Sequence, residues 1–341
     1  EKTQVLFNQS GLGWRLISQG SVKLLHAGSV LGESADEVLT LLRDTQPDLD
    51  KIKSLVSKFR GHFGLVYQDE QKIIAVNDCI ASYPIFYRSS DNGFNIASSA
   101  NALKTDCTID RLQAKAVMLS GYTVGHGTVF REILPLGHGK ILFQDSCKKN
   151  HIISQYYKFS PWRKPYQLKR DHLKQKLVEV TLQSIKRVME QASDRQIAVP
   201  LSGGRDSRLV VSALKHLGAK NVTCYSYGPQ GNFEGEIAKL VANRLGFALV
   251  FVEVTPKIQQ QFWKTRIPEK FATRSNDFMA APVFHDLFVT DTLLKKKVIS
   301  KDALIVNGNS GDFITGNHIP VDLTAVNLNC SEDNVTHLLN S

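Results

Sequence analysis

The chain reads as two domains, a layered α+β domain followed by an α/β domain on a parallel sheet. Three features of the sequence predict this. Short alternating apolar runs, interrupted by amphipathic helical segments, fill the first 155 residues or so. The texture changes after Gln196 to strand, helix, strand, helix, strand. Between them lies a Pro- and aromatic-rich stretch, residues 157–166, that fits neither pattern.

In the first domain, strands are expected over residues 62–67, 72–77, 83–87, 94–97 and 140–143. Turn residues such as Asp91-Asn92-Gly93 separate them. Helical spacing of apolar residues marks 34–43, 49–59 and 110–120, with Asp110 as an N-cap. Residues 170–192 carry Leu173, Leu177, Val180, Ile185 and Val188 at helical spacing, so a long amphipathic helix should follow the linker.

In the second domain, residues 197–201, 222–227 and 249–254 are short apolar strands. The helices between them, 206–217 and 235–245, are each stopped by a glycine, Gly218 and Gly246. A further strand is expected over 303–306. The boundaries are therefore 1–155, a linker over 156–166, and 167–341.

Composition narrows the function classes. A content of 42% hydrophobic and 22% charged residues in 341 is that of a globular protein. No apolar run approaches the roughly 18–20 residues that span a bilayer. The opening Glu1-Lys2-Thr3-Gln4 reads as no signal peptide, and without an initiator Met the chain reads as a fragment or as internally numbered. The five cysteines, Cys79, Cys107, Cys147, Cys224 and Cys330, form no metal-binding pattern and read as reduced thiols in a cytoplasmic protein. The formal charge of +10 is dispersed, its densest cluster being Lys295-Lys296-Lys297, and aromatics do not interleave with it. A solvated surface is expected, with neither a nucleic-acid nor a membrane partner. Oligomeric state is not legible.

The chemistry centres on Ser202-Gly203-Gly204-Arg205-Asp206-Ser207, placed after a parallel strand and at the start of a helix. Ligands of open parallel sheets sit at that end. Glycines let the backbone turn sharply and approach a ligand closely. Free N–H groups at a helix start favour phosphate. Ser202 and Ser207 add hydroxyls, and Asp206 is suited to hold Mg²⁺ bridging phosphate oxygens. A Walker A loop is absent. The plain alternative is a glycine turn with Asp206 as N-cap.

This motif resembles the PP-loop of N-type ATP pyrophosphatases, which cleave ATP between the α- and β-phosphates. Later segments agree in order with the asparagine synthetase family. Tyr225-Ser226-Tyr227-Gly228 stands where the resemblance implies adenine-site backbone contacts. Glu234 opens a segment similar to the family's acidic residue before a helix, and is equally a first-turn Glu favoured by the helix dipole. Asn307-Gly308-Asn309-Ser310-Gly311-Asp312 resembles SGEGSDE, with Asp312 at the second Mg²⁺-linked aspartate and Gly308 and Gly311 at its glycines. Asn309 replaces a family glutamate, and an amide neither carries charge nor acts as a base. Arg208, Asp277 and Asn309 are the candidates for substrate contact, and Leu201, preceding the loop, is placed with the nucleotide-binding residues.

The first half resembles a class II glutamine amidotransferase domain. Gly61-His62-Phe63-Gly64-Leu65-Val66-Tyr67 is similar to GxFAxxxYD, Ala75-Val76-Asn77-Asp78 with Tyr83-Pro84-Ile85-Phe86-Tyr87 to ARDxxGxxPLYY, and Phe94-Asn95-Ile96-Ala97-Ser98-Ser99 to FxFASE. The glutaminase needs an N-terminal cysteine, but residue 1 is Glu and the first cysteine is Cys79. The family's glutamine-holding segments have no counterpart before residue 60, so this domain reads as a degenerate scaffold with Asp78 structural.

The resemblance implies an α+β Ntn-hydrolase-like N-terminal domain followed by an α/β parallel-sheet domain of the adenine nucleotide α-hydrolase-like, PP-loop type. It further implies an AMP- and pyrophosphate-forming amide ligase using ATP and Mg²⁺. Its partners would be a small-molecule carboxylate and ammonia or an amine, with catalysis resting on Asp206 and Asp312. Two features keep a non-catalytic ATP-binding homologue open: Asn309, and the lack of the family's later lysine segment before Ser341.

Overall fold

The computed structural model describes residues 4–6, 13–90, 93–146, 151–159, 169–309 and 311. In chain order the strands and helices are β1 (Gln4–Leu6), β2 (Arg15–Gln19), β3 (Val22–Val30), α1 (Ala35–Asp44), α2 (Leu49–Val56), β4 (Gly61–Gln68), β5 (Lys72–Asn77), β6 (Phe86–Ser90), β7 (Gly93–Ala97) and α3 (Arg111–Ser120). There follow β8 (Leu134–Pro135), β9 (Lys140–Asp145), β10 (His151–Gln155), α4 (Arg170–Ala192), β11 (Ile197–Pro200), α5 (Arg205–His216), β12 (Val222–Gly228) and α6 (Phe233–Leu245). The last are β13 (Ala248–Glu253), α7 (Pro256–Trp263), α8 (Ile267–Ser275), α9 (Leu287–Lys295) and β14 (Leu304–Ile305). They fall into two compact units, Glu1–Phe159 with Arg266–Val283, and Ser160–Thr265 with Phe284–Ser341. The second unit is therefore discontinuous in sequence, whereas the sequence reading ran it unbroken from residue 167.

The first unit is built on an antiparallel sheet in the order β10-β9-β5-β4-β3-β2. Its strands alternate, so each face buries its own set of side chains. Leu24, Tyr67, Ile74 and Phe143 lie in register across β3, β4, β5 and β9 and join Val38, Leu39, Leu42, Ile52 and Val56 of α1 and α2 in one cluster. The neighbouring residues Leu25, Val66, Ala75 and Leu142 join Ile85, Phe94 and Ile96 in another. The last three belong to the second sheet, β1-β7-β6-β8, or to its approach. Gly64 is needed here, because a Cβ on it would stand 2.7 Å from the ring of Trp14.

Local signals place the helices. Ser34 and Glu37 form a reciprocal capping box at the start of α1. Asp48 caps α2, and Asp110 accepts from Leu112 and Gln113 N–H groups to start α3. The buried Lys72 is satisfied at the other end of α1, donating to the carbonyls of Arg43 and Thr45. One expected strand is displaced: residues 83–85 are not strand, and β6 begins only at Phe86. Pro84 has no N–H for a ladder, so pairing starts after it.

The second unit holds a fully parallel sheet, β13-β12-β11-β14. Ile197, Val199 and Leu201 pack with Val211 and Leu214 of α5, Ala238 and Ala242 of α6, and Ile185 and Ala192 of α4. Ala198 and Tyr225 point to the other face, packing with Val289 and Leu293 of α9. This is an α/β layer with helices on both faces. The elements that the apolar runs and glycine stops marked begin and end within two residues of those expectations, while α7 and α9 were not anticipated. No helix among the described residues is long and apolar enough to cross a membrane. Cys79, Cys107 and Cys224 are free thiols, while Cys147 and Cys330 lie outside the described residues.

Candidate functional site

The carboxyl ends of β11, β12 and β14 converge in the second unit. β11 stops at Pro200, and the Leu201 N–H still reaches the Tyr225 carbonyl at 2.8 Å. Residues 202–204 then turn into α5. Gly204 occupies the N-cap position with extended backbone (φ −70°, ψ 156°), and no side chain caps the helix. The first-turn N–H groups of an α-helix have no partner within it. Here they face the cleft with the positive end of the helix dipole behind them.

The two serines hold the turn itself. Ser207 Oγ accepts from the Ser202 N–H at 3.1 Å, Ser202 Oγ accepts from the Gly204 N–H at 3.1 Å, and the two hydroxyl oxygens are 3.1 Å apart. Their first role is therefore to shape the loop, not to stand free as ligand donors. The glycines also behave differently from expectation. Neither Gly203 nor Gly204 has a positive φ. A Cβ on Gly203 would make only ordinary contacts, the nearest at 3.6 Å to Ile237. The fold alone does not require glycine at 203.

Asp206 lies in the first turn of α5, clasped by the loop after β14. The Val306 N–H bonds to the Ala198 carbonyl at 2.9 Å and carries the strand direction into residues 307–309. A Cβ on Gly308 would stand 2.8 Å from the backbone and Cβ of Asp206, and one on Gly311 would stand 2.2 Å from its carboxyl carbon. Glycine is sterically required at 308, where the contacts are backbone, while at 311 a side chain would displace the Asp206 carboxylate. Asn307 Oδ1 accepts from the Asn309 N–H at 3.3 Å and stabilises the turn.

The end of β12 supplies a third wall. Tyr225 and Ser226 are buried, and Tyr227 donates its hydroxyl proton to Asp286 Oδ1 at 2.6 Å. Burial, with the Asp286 charge nearby, pushes the Tyr225 phenol up to about 12, and burial together with the hydrogen bond to Asp286 raises the Tyr227 phenol. Glu234 sits at the start of α6, where Asn232 caps the helix by accepting from the Gly235 N–H at 2.7 Å. Gly235 lets α6 close onto Phe251, whose ring would stand 2.7 Å from an added Cβ.

Together these residues line a cleft of about 340 Å³. Of the residues singled out in the sequence, Leu201, Ser202, Gly204, Asp206, Ser207, Tyr225, Ser226, Gly308 and Asn309 line it. Gly203 adjoins it, and Gly311 packs on Asp206. Arg208 does not line it, and its Nε donates to the Gly204 carbonyl at 3.1 Å within the same helix. Asp277 lies in the first unit, where its carboxylate accepts from Ser99 Oγ at 3.1 Å and burial raises its pKa. Asp312, the second carboxylate of the sequence motif, is outside the described residues. Pro200, Tyr227, Glu234, Asp286 and Asn307 complete the lining. Asp286 had no sequence signal, since it belongs to no motif and its partner is 59 residues away.

Among the described residues no three His, Cys, Asp or Glu side chains converge as a self-sufficient metal cage. The donor set fits Mg²⁺ as nucleotide sites hold it, through one or two carboxylates and the phosphates themselves. Asp206 is the carboxylate so placed.

The second unit is a parallel α/β sheet whose strand β11 leads through an uncapped glycine turn into α5. Residues 176–297, which include the glycine turn and α5, match the asparagine synthase family. Among solved structures the chain is similar to an NH3-dependent NAD synthetase from Campylobacter jejuni (19% identity, 42% of this chain and 59% of that one, TM-score 0.29). It is also similar to glutamine phosphoribosylpyrophosphate amidotransferase from B. subtilis (12%, 72% and 52%, TM-score 0.25). A third is a predicted subunit of tRNA methyltransferase from Methanocaldococcus jannaschii (21%, 42% and 62%, TM-score 0.22). The chain thus spans between 52% and 62% of the length of these three structures. No curated protein matches it.

Proposed function

We propose that the cleft binds ATP with Mg²⁺ and that the chain is an AMP- and pyrophosphate-forming amide ligase of asparagine-synthetase type. Two features of the same turn carry the reading together. The helix start is left uncapped, and glycine stands at position 203 where the fold does not need it. A close-approaching phosphate explains both.

In this reading the first-turn N–H groups of α5, with the helix dipole behind them, hold the β- and γ-phosphates. Asp206, with Asp312, would hold Mg²⁺, which when bound neutralises charge on the phosphate oxygens. A substrate carboxylate oxygen attacks the α-phosphorus, the bond to the β-phosphate oxygen breaks, and pyrophosphate leaves. Ammonia or an amine then attacks the acyl carbon, AMP departs with the C–O electron pair, and the nitrogen gives its proton to solvent. The chain contributes positioning and fixed charge rather than a covalent intermediate. The first unit is read as a degenerate amidotransferase-like domain of Ntn-hydrolase type, so free ammonia or an amine is the donor. Its layered sheets support this, and Asp78, whose carboxylate accepts from three backbone N–H groups, serves there as a structural residue.

A second reading, an ATP-binding homologue without turnover, is favoured by Asn309, which lines the cleft where the resembling motif has a glutamate. Pyrophosphate release with ATP, Mg²⁺, ammonia and a panel of carboxylates separates the two. Release that disappears in Asp206→Asn supports the ligase. Tight ATP binding with no release from any carboxylate supports the binding protein. No ATP binding at all ends both.

A further inference from the structure

The Tyr227–Asp286 pair is not explained by phosphate binding or by metal binding. Asp286 stands at the N-cap position of α9, where an aspartate ordinarily accepts from the helix's own first-turn N–H groups. It makes no such bond. Its backbone carbonyl serves the helix instead, accepting from the Thr290 N–H at 2.8 Å. The carboxylate is turned to Tyr227 and lines the same cleft as the glycine turn.

The two partners also share one face of the sheet. Tyr227 sits in register with Val252 near the carboxyl end of β12. Its ring packs in the cluster that contains Val289 and Leu293 of α9, so both partners are anchored on one face of the sheet. The bond engages Oδ1. An ionised carboxylate has about four acceptor positions and no donor, so the group still presents acceptors to whatever enters.

Strand order decides what that is. The glycine turn lies at the end of β11, which has β14 on one side and β12 on the other. A nucleotide whose phosphates occupy the turn must send its base toward one side and leave the other for the carboxylate to be activated. A negative charge at Asp286 disfavours that carboxylate on the β12 side. The uncharged Asn309 is on the β14 side and offers no such repulsion.

Resting on the ATP reading above, we propose that Asp286, held by Tyr227, selects the base by accepting a hydrogen bond from an exocyclic amino group. Adenine offers a donor where hypoxanthine and guanine offer a carbonyl acceptor. Two acceptors facing each other repel, so the same carboxylate that attracts ATP rejects ITP.

The test is calorimetric titration of the full chain with Mg·ATP, Mg·ITP and Mg·2′-deoxyATP, in wild type, Asp286→Asn and Tyr227→Phe. Wild type should favour ATP over ITP by about 10–100-fold, the range of one charge-assisted hydrogen bond. In Asp286→Asn, whose amide can donate as well as accept, that preference should fall at least tenfold. Tyr227→Phe, which loosens the carboxylate without removing it, should show a smaller fall. Unchanged thermal unfolding of the variants confirms that they fold. An unchanged ATP-to-ITP ratio in Asp286→Asn overturns the proposal while leaving Asp206-dependent ATP binding intact. A shift in the ATP-to-2′-deoxyATP ratio alone also overturns it, placing the carboxylate on the ribose. Failure of wild type to bind either triphosphate removes this inference together with the nucleotide reading.

Discussion

A β-carbon on Gly308 would lie 2.8 Å from the β-carbon of Asp206, and as close to the Asp206 carbonyl carbon and the Ser207 nitrogen. Backbone atoms cannot swing aside as a flexible side chain can. Gly308→Ala must therefore push the β14 loop away from α5 or distort the first turn of that helix. Overpacking of this kind costs about 1–3 kcal/mol. We expect that loss in chemical denaturation, together with at least a tenfold loss of ATP affinity, because Asp206 moves with the turn.

Gly203→Ala should behave in the opposite way. Its new methyl group meets nothing closer than 3.6 Å, and its φ is not positive. Stability should stay within about 0.5 kcal/mol of wild type, as for a substitution that disturbs no contact. ATP affinity should nevertheless fall at least tenfold, because the methyl group occupies the approach to the turn. Equal affinity in titrations of the two proteins would show that no ligand comes close at this position.

The contrast between these glycines marks how far sequence reasoning reaches. Local patterns place the second unit well, because short strands buried on both faces and glycine-stopped helices are strong signals. The loop 202–207 is legible for the same reason. Steric roles are less so: Gly203 and Gly308 each stand in a glycine motif, and only the packing shows which of them the fold demands. Asp277, a candidate for substrate contact in the sequence, lies with the first unit, bonded to Ser99. Asp286 was invisible, since its meaning comes from Tyr227, brought near by sheet formation. β2 and β3 also escaped assignment. Gly28 at positive φ and the polar His26 and Ser29 interrupt the apolar alternation of β3.

Asp277 yields a pH prediction. Burial raises its pKa above that of the unfolded chain, outweighing the bond from Ser99. Between the unfolded value, about 3.9, and the raised folded value, the native state binds more protons than the unfolded state. Stability should fall as pH rises through that window, and the cost is complete above it. Asp277→Asn keeps an acceptor for Ser99 and cannot ionise. It should stabilise the protein at pH 7 by up to about 1 kcal/mol, a rise of about 2–4 °C, with the gain vanishing at pH 3. Thermal unfolding at the two pH values checks this, and pyrophosphate release should not change if Asp277 is purely structural.

Asp78 should prove to be a structural residue of the first unit. Its carboxylate accepts from the N–H groups of Phe63 and Ile80, both at 2.8 Å, and of Ser82 at 3.2 Å. The residue is 2% exposed, so the Phe63 N–H at least cannot turn to water when the carboxylate is lost. Asp78→Ala should destabilise by about 2–4 kcal/mol, the cost of orphaning donors that served a charged acceptor. Asp78→Asn retains one acceptor oxygen and should lose about half as much. Urea denaturation followed by tryptophan fluorescence reports this directly, because Trp14 is buried in the same unit.

Asn309 separates the ligase from the binding protein most sharply. Its side chain lines the cleft on the β14 side, and the bond from its N–H to Asn307 is made by the backbone, so a side-chain exchange leaves the turn intact. Asn309→Glu is close to the original in shape, one methylene longer, and adds a group that can take a proton. A positioned general base contributes typically about 10²–10⁴-fold. If the chain activates carboxylates with an amine or ammonia as acceptor, deprotonation of the attacking nitrogen is the step such a group assists. Asn309→Glu should then raise amide formation at least tenfold at saturating ATP, with the added rate rising with pH as the new carboxylate ionises. ATP affinity should change little or weaken slightly, since the added negative charge faces a triphosphate. No gain in single-turnover amide formation, with ATP still bound, would mean that the missing glutamate is not what limits this chain, and the non-catalytic reading would then be preferred.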